Sequence, residues 1–211
     1  MIRLDEELVE TEAETPARLP MSEDEFVAWC DEDVWAEWVD GEVIMHSPAS
    51  YKHSDLVAFL TIVLHLFVDH FGLGKICGPE FQFRLAELRR RRAPDLFFVA
   101  KGRLDRIQTN HFEGAPDLVI EIASPDSMAR DWREKYWEYR TAGVREYWII
   151  DPMAQRVEAY RLTDDGEYAV IGLQKGRLAS TVLPGFYLRP AWLWQDTLPN
   201  PLAVLKELGV S

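Results

Sequence analysis

Only two cysteines, Cys30 and Cys77, occur in the 211 residues, far apart and without metal-type spacing. That excludes a disulfide scaffold and a cysteine-zinc centre, and fits buried thiols in a reducing compartment. There is no glycine-rich phosphate loop and no internal repeat. The acidic N-terminus has no apolar core of the signal-peptide kind. The longest apolar run, Leu56 to Val68, is short for a membrane span and contains Thr61 and His65. Positive charge is scarce as well, with 23 basic residues against 36 acidic and a net charge of −13. That balance argues against strong non-specific attraction to nucleic acid or to an anionic membrane. The expectation is a cytoplasmic protein with no membrane partner.

Residues 1–20 carry six acids and two arginines, the composition of a solvated, flexible tail. Residues 21–211 then form a single domain, and 47% hydrophobic residues with eight Trp supply ample core. Within it, Leu118 to Ala123 is almost entirely apolar, as expected of a strand buried on both faces. Glu121 interrupts that run. A carboxylate there is costly unless a cation, a proton or donors meet it, or unless it reaches water at the strand's exit. A second apolar run, Leu96 to Val99, carries Asp95 at its start.

Around these two runs the pattern gives further elements. Ser22 and Glu25 form a capping box for a short helix to about Cys30. Asp40-Gly41 joins the strands 35–39 and 42–46 into a hairpin. Glu37, mid-strand, reads equally as a solvent-face residue and as an accessory acid near a site. Residues 54–71 read as a long buried helix ended by Gly72. His53 at its entrance and His65 within it read as capping or core histidines. Arg89 to Arg92 is either an exposed turn or a phosphate-contacting loop. After the Glu121 strand, Asp126 or Ser127 caps a helix that stops at Gly143. Trp132, Tyr136 and Tyr139 share its packing face, and Asp131 with Lys135 lies on a neighbouring stripe as a surface ion pair. Residues 146–151 and 157–161 are paired strands. Short strands and a C-terminal helix, 201–208, follow. This order indicates an α/β or α+β layer fold.

Which acids could share a cation follows from strand geometry. Asp117 and Glu121 on one strand stand about 13 Å apart at ~3.3 Å per residue, too far for one ion. If the Asp95 strand neighbours the Glu121 strand, at ~4.8 Å, both carboxylates can converge on one Mg²⁺. A hard cation on two carboxylates suits phosphate-ester hydrolysis, and Lys135 is the nearest positive group by element order.

Taken together, Pro94-Asp95, Glu121-Ile122-Ala123-Ser124-Pro125, Asp131 with Lys135, and the run from Tyr139 to Trp148 resemble the Uma-type restriction endonuclease family of the PD-(D/E)XK nuclease superfamily. The Glu37 hairpin, Ser47-Pro48 and His53 resemble its N-terminal half. The resemblance implies a restriction-endonuclease-like central mixed sheet flanked by helices, with an added N-terminal hairpin and C-terminal strands. It also implies a Mg²⁺-dependent (Mn²⁺ possible) DNA endonuclease acting as a homodimer. Asp95 and Glu121 would be metal ligands, the Ile122 carbonyl a third, and Lys135 the water-orienting group, with Glu37 accessory. Ala123 stands where the superfamily's strand lysine sits. Two rival functions follow from that departure and from the charge: a catalytically inactive binding or regulatory module, and a metal hydrolase of a smaller phosphoester.

Overall fold

A computed structural model of the chain describes residues 18–31, 34–124 and 131–210. The chain begins with β1 (Arg18–Pro20) and α1 (Glu23–Trp29), whose Ser22–Glu25 capping box is formed on both sides. β2 (Ala36–Val39) and β3 (Glu42–Met45) make the hairpin. Asp40 (φ 54°) and Gly41 (φ 92°) both take the positive φ that a tight two-residue turn requires. α2 runs Tyr51–Phe71, capped by Ser50 and closed by Gly72 in the left-handed region. Four strands follow: β4 (Gly74–Cys77), β5 (Gln82–Leu85), β6 (Arg90–Arg92) and β7 (Leu96–Ala100). The connection after β7 folds into a 3₁₀ turn, Lys101–Arg106, and then β8 (His111–Glu113).

β9 is Leu118–Ile122, and α3 is Tyr136–Ala142, entered through a π-helical turn at Asp131–Lys135. β10 (Glu146–Asp151) and β11 (Arg156–Leu162) pair antiparallel, as expected. The remainder is β12 (Tyr168–Val170), β13 (Leu178–Ala179), β14 (Tyr187–Leu188), α4 (Pro190–Leu193) and α5 (Pro201–Glu207). The expected caps Asp126 and Ser127, and the Asp131 and Trp132 side chains, lie outside the described residues.

Two six-stranded mixed sheets result, ordered β1-β3-β2-β6-β5-β8 and β12-β11-β10-β9-β7-β4. The sequence suggested one central sheet with an added hairpin. The hairpin pairs through β2 with β6, which β5 and β8 extend into a second sheet; β6 and β8 are each three residues long and too short to show a periodic signal.

β9 is the centre of the fold. Leu118, Ile120 and Ile122 face α2 in one core cluster, while Val119 and Ala123 face Tyr139, Phe83 and Phe112 in the other. Its parallel partner β10 is reached through α3, the crossover that parallel strands require.

α2 is longer than the apolar run that marked it, and by length and composition it could cross a membrane. Eight of its residues, from Leu56 to Val68, are instead buried in the protein core. Cys30 and Cys77 are half-buried free thiols, and burial pushes the Cys77 thiol up to about 11.

Candidate active site

The β7–β9 pairing fixes the two acids. Leu96 is opposite Ile120 in an antiparallel register, which puts Asp95, one residue earlier, opposite Glu121 at the sheet's end. Asp95 Oδ2 accepts the Ile122 main-chain N–H at 2.6 Å, so the carboxylate is anchored across the strand pair. Gly78 lies against the Asp95 main chain from the β4 side. A Cβ at Gly78 would meet the Asp95 carbonyl oxygen at 2.4 Å, and only glycine allows that approach.

Lys135 ends the π-helical turn. Lys135, Glu138 and Tyr139 stand at i, i+3 and i+4, the spacing that puts three side chains on one helix face. The Lys135 ammonium is buried, 2.8 Å from Glu121 Oε1 and 3.6 Å from Glu37 Oε1. Lys135 is not a surface residue: the face that carries it packs down on the sheet. The Tyr139 hydroxyl donates to the same Glu121 oxygen at 2.9 Å. Burial first, then the charges of Glu121 and Glu37, push the Tyr139 pKa far above its ordinary value, which keeps the phenol a neutral donor.

Glu37 is fully enclosed, and the solvent-face reading of it does not hold. Its Oε2 accepts from Arg92 at 2.7 Å and its Oε1 from the Ala93 main-chain N–H at 3.2 Å. Burial alone would raise its pKa. The positive charges of Lys135, Arg92 and His46 outweigh burial and hold the carboxyl well below its usual range.

Arg89 sits exposed in the turn, and the rest of the run is a strand rather than a loop. As strand β6 it alternates sides: Arg90 and Arg92 grip Glu138, while Arg91 pairs with Glu23. Three adjacent like charges survive in β6 because the strand's period of two separates them and supplies each side with carboxylates.

His53 is not the cap of α2. Ser50 fills that role, accepting from the His53 main-chain N–H. The imidazole Nε2 lies 3.2 Å from Asp95 Oδ1. Burial opposes a charge on the ring, but the Asp95 carboxylate, the Ile122 carbonyl and Glu121 together raise its pKa.

That arrangement tests whether the residues suit a metal. The two carboxylates and the carbonyl expected as ligands all favour positive charge at the place where the His53 ring lies. All three are hard oxygen donors, of the kind Mg²⁺ prefers. Among the described residues no cluster of three or more His, Cys, Asp or Glu side chains converges as a metal set. A cation here would therefore rest on two carboxylates, a main-chain carbonyl and water.

Asp117 lies at the opposite end of β9. There it accepts from the Ala100 N–H at 2.8 Å and pairs with Arg103 at 3.0 Å, the strand-start role its spacing suggested. His65 sits half-buried within α2, apart from the site. The sequence reading missed Tyr139, assigned to packing, and the Arg92–Glu138 pair. A signal for Tyr139 was present: a hydroxyl four residues after Lys135 on the same helix face.

Tyr139→Phe tests whether that hydroxyl orients Glu121. Outer-shell partners of metal ligands typically contribute about 10–100-fold in affinity, so if Glu121 takes part in holding a divalent cation, its calorimetric binding is expected to weaken by that order with the fold retained.

The sequence profile of the Uma2 family, described as putative restriction endonuclease, matches residues 23–191. The crystal structure of a putative nuclease from Anabaena variabilis ATCC 29413 superposes with a TM-score of 0.70 at 23% identity, covering 83% of this chain and 98% of that one. At such identity it shows the fold. No curated protein matches the sequence. With the family's profile spanning the chain from α1 through β14, including the acids gathered at the end of β9, the chain belongs to the Uma2 family of putative restriction endonucleases.

Proposed function

We propose that the protein is a divalent-metal-dependent nuclease that hydrolyses DNA phosphodiester bonds, with Mg²⁺ as its cation and Mn²⁺ as a substitute. One observation carries the reading: a buried ammonium, Lys135, is held 2.8 Å from Glu121 at the sheet end where Asp95 is anchored. The superfamily's strand lysine is replaced by Ala123, and Lys135 brings an ammonium to the same acid from the next helix.

Asp95, Glu121 and the Ile122 carbonyl would hold the cation. When bound, the cation supplies Lewis-acid polarisation of a phosphoryl oxygen. Lys135 orients the attacking water and faces the charge that develops on the phosphate. Glu37, fixed by Arg92, faces the Lys135 ammonium at 3.6 Å. Tyr139 holds the Glu121 carboxylate from the side.

The net charge of −13 favours a second reading, a metal hydrolase of a smaller phosphoester. Nicking of plasmid DNA in Mg²⁺, alongside turnover of a small phosphodiester, decides between them. The wild type is expected to nick DNA and Asp95→Ala to fall to background. Equal activity of the two removes Asp95 from the mechanism. Turnover of the small diester alone supports the second reading, and no turnover of either leaves a binding module.

A further inference from the structure

Arg92 is fully enclosed, yet its guanidinium reaches two other elements. From β6 it donates through one terminal nitrogen to Glu37 Oε2 on β2, at 2.7 Å. Through Nε and its other terminal nitrogen it donates to both oxygens of Glu138 on α3, at 2.6–2.9 Å. Arg90, two residues earlier on the same strand side, donates to Glu138 Oε1 at 2.9 Å and pairs with Asp40 at 3.0 Å. Glu138 lies one helical turn after Lys135, and the other oxygen of Glu37 faces Lys135 at 3.6 Å. The carboxylate facing the ammonium and the one a helical turn after Lys135 are thus held by one planar fork.

We propose that Arg92 is a positioning residue: by binding Glu138 and Glu37 together it locks the start of α3 onto the first sheet and sets the Lys135 ammonium over Glu121. The proposal rests on the nuclease reading for its kinetic consequence, but the placement of Lys135 can be measured without it. A planar fork is needed because a carboxylate on each of two elements must be met at once, with two of the bonds parallel. A lysine offers a point charge that cannot reproduce that geometry. A displacement of about 1 Å at a catalytic group costs on the order of 10²-fold in rate.

Arg92→Lys keeps the charge and removes the fork. Glu138→Gln, at a position with part of its side chain at the surface, is the second variant should Arg92→Lys not fold. For each, kcat and KM on DNA, Mg²⁺ affinity by calorimetry and a crystal structure are compared with wild type. The expected result is a fall of about 10- to 100-fold in kcat, with KM and Mg²⁺ affinity nearly unchanged and the Lys135–Glu121 contact opened from 2.8 Å. Wild-type kcat with Lys135 unmoved overturns the proposal. So does a loss of Mg²⁺ affinity in step with kcat, which would make Arg92 a general prop of the fold. If the wild type cleaves nothing, the nuclease reading fails, and the crystallographic position of Lys135 alone decides the positioning role.

Discussion

Lys135→Met is expected to lower kcat for DNA cleavage by about 10²–10³-fold, the effect of removing one preorganised electrostatic stabiliser, or ~2.7–4 kcal/mol of barrier. Methionine matches the lysine stem in length and leaves the buried path filled, so the loss isolates the ammonium. Metal affinity should not fall, because the substitution takes a competing positive charge away from Glu121. Single-turnover cleavage at saturating Mg²⁺ reads the first quantity and calorimetry the second. Unchanged cleavage by a folded Lys135→Met protein would reduce Lys135 to a counter-ion of Glu37 and Glu121.

The second large effect is on stability. Glu37→Ala removes one partner from a fully enclosed ion network and leaves the inward-facing end of Arg92 and the Ala93 N–H without their acceptor. Breaking a buried pair in this way costs about 3–5 kcal/mol, a large share of the net stability of a domain. Urea unfolding at neutral pH measures it. The pH dependence gives the sign independently. The folded-state pKa of Glu37 lies below its ordinary value of 4.5, so the unfolded chain takes up the proton first as pH falls. Its contribution is fully present above that value and is lost progressively below it. The stability gap between wild type and Glu37→Ala is therefore expected to narrow in acid. A gap under about 1 kcal/mol that does not change with pH would contradict the network's role.

What the sequence made legible follows a physical pattern. The β7 and β9 strands declared themselves because both are buried on two faces and so read as continuous apolar runs, each carrying an acid at one end. The β2–β3 hairpin was equally plain, since Asp40-Gly41 allows few other structures. The Asp95–Glu121 pairing followed from sheet spacing alone once the strands were adjacent.

The arginine run was opaque for the opposite reason. Charge alone cannot say whether Arg90 and Arg92 meet water or Glu138, because Glu138 lies 46 residues from Arg92 in the chain. His53 was hidden in the same way, its partner Asp95 being far away in sequence. The π-helical turn at Asp131–Lys135, which aims the lysine, has no pattern distinguishable from an ordinary helix start. Local signals gave the strands and turns. Long-range ion pairs chose the site.

Anomalous diffraction from Mn²⁺-soaked crystals tests the central arrangement most directly. The expected result is a single strong peak at the end of β9, within ~2.0–2.2 Å of a carboxylate oxygen of Asp95, one of Glu121 and the Ile122 carbonyl, with Lys135 beside it. A soaked crystal with no peak there, or with the ion held by other residues, would contradict it.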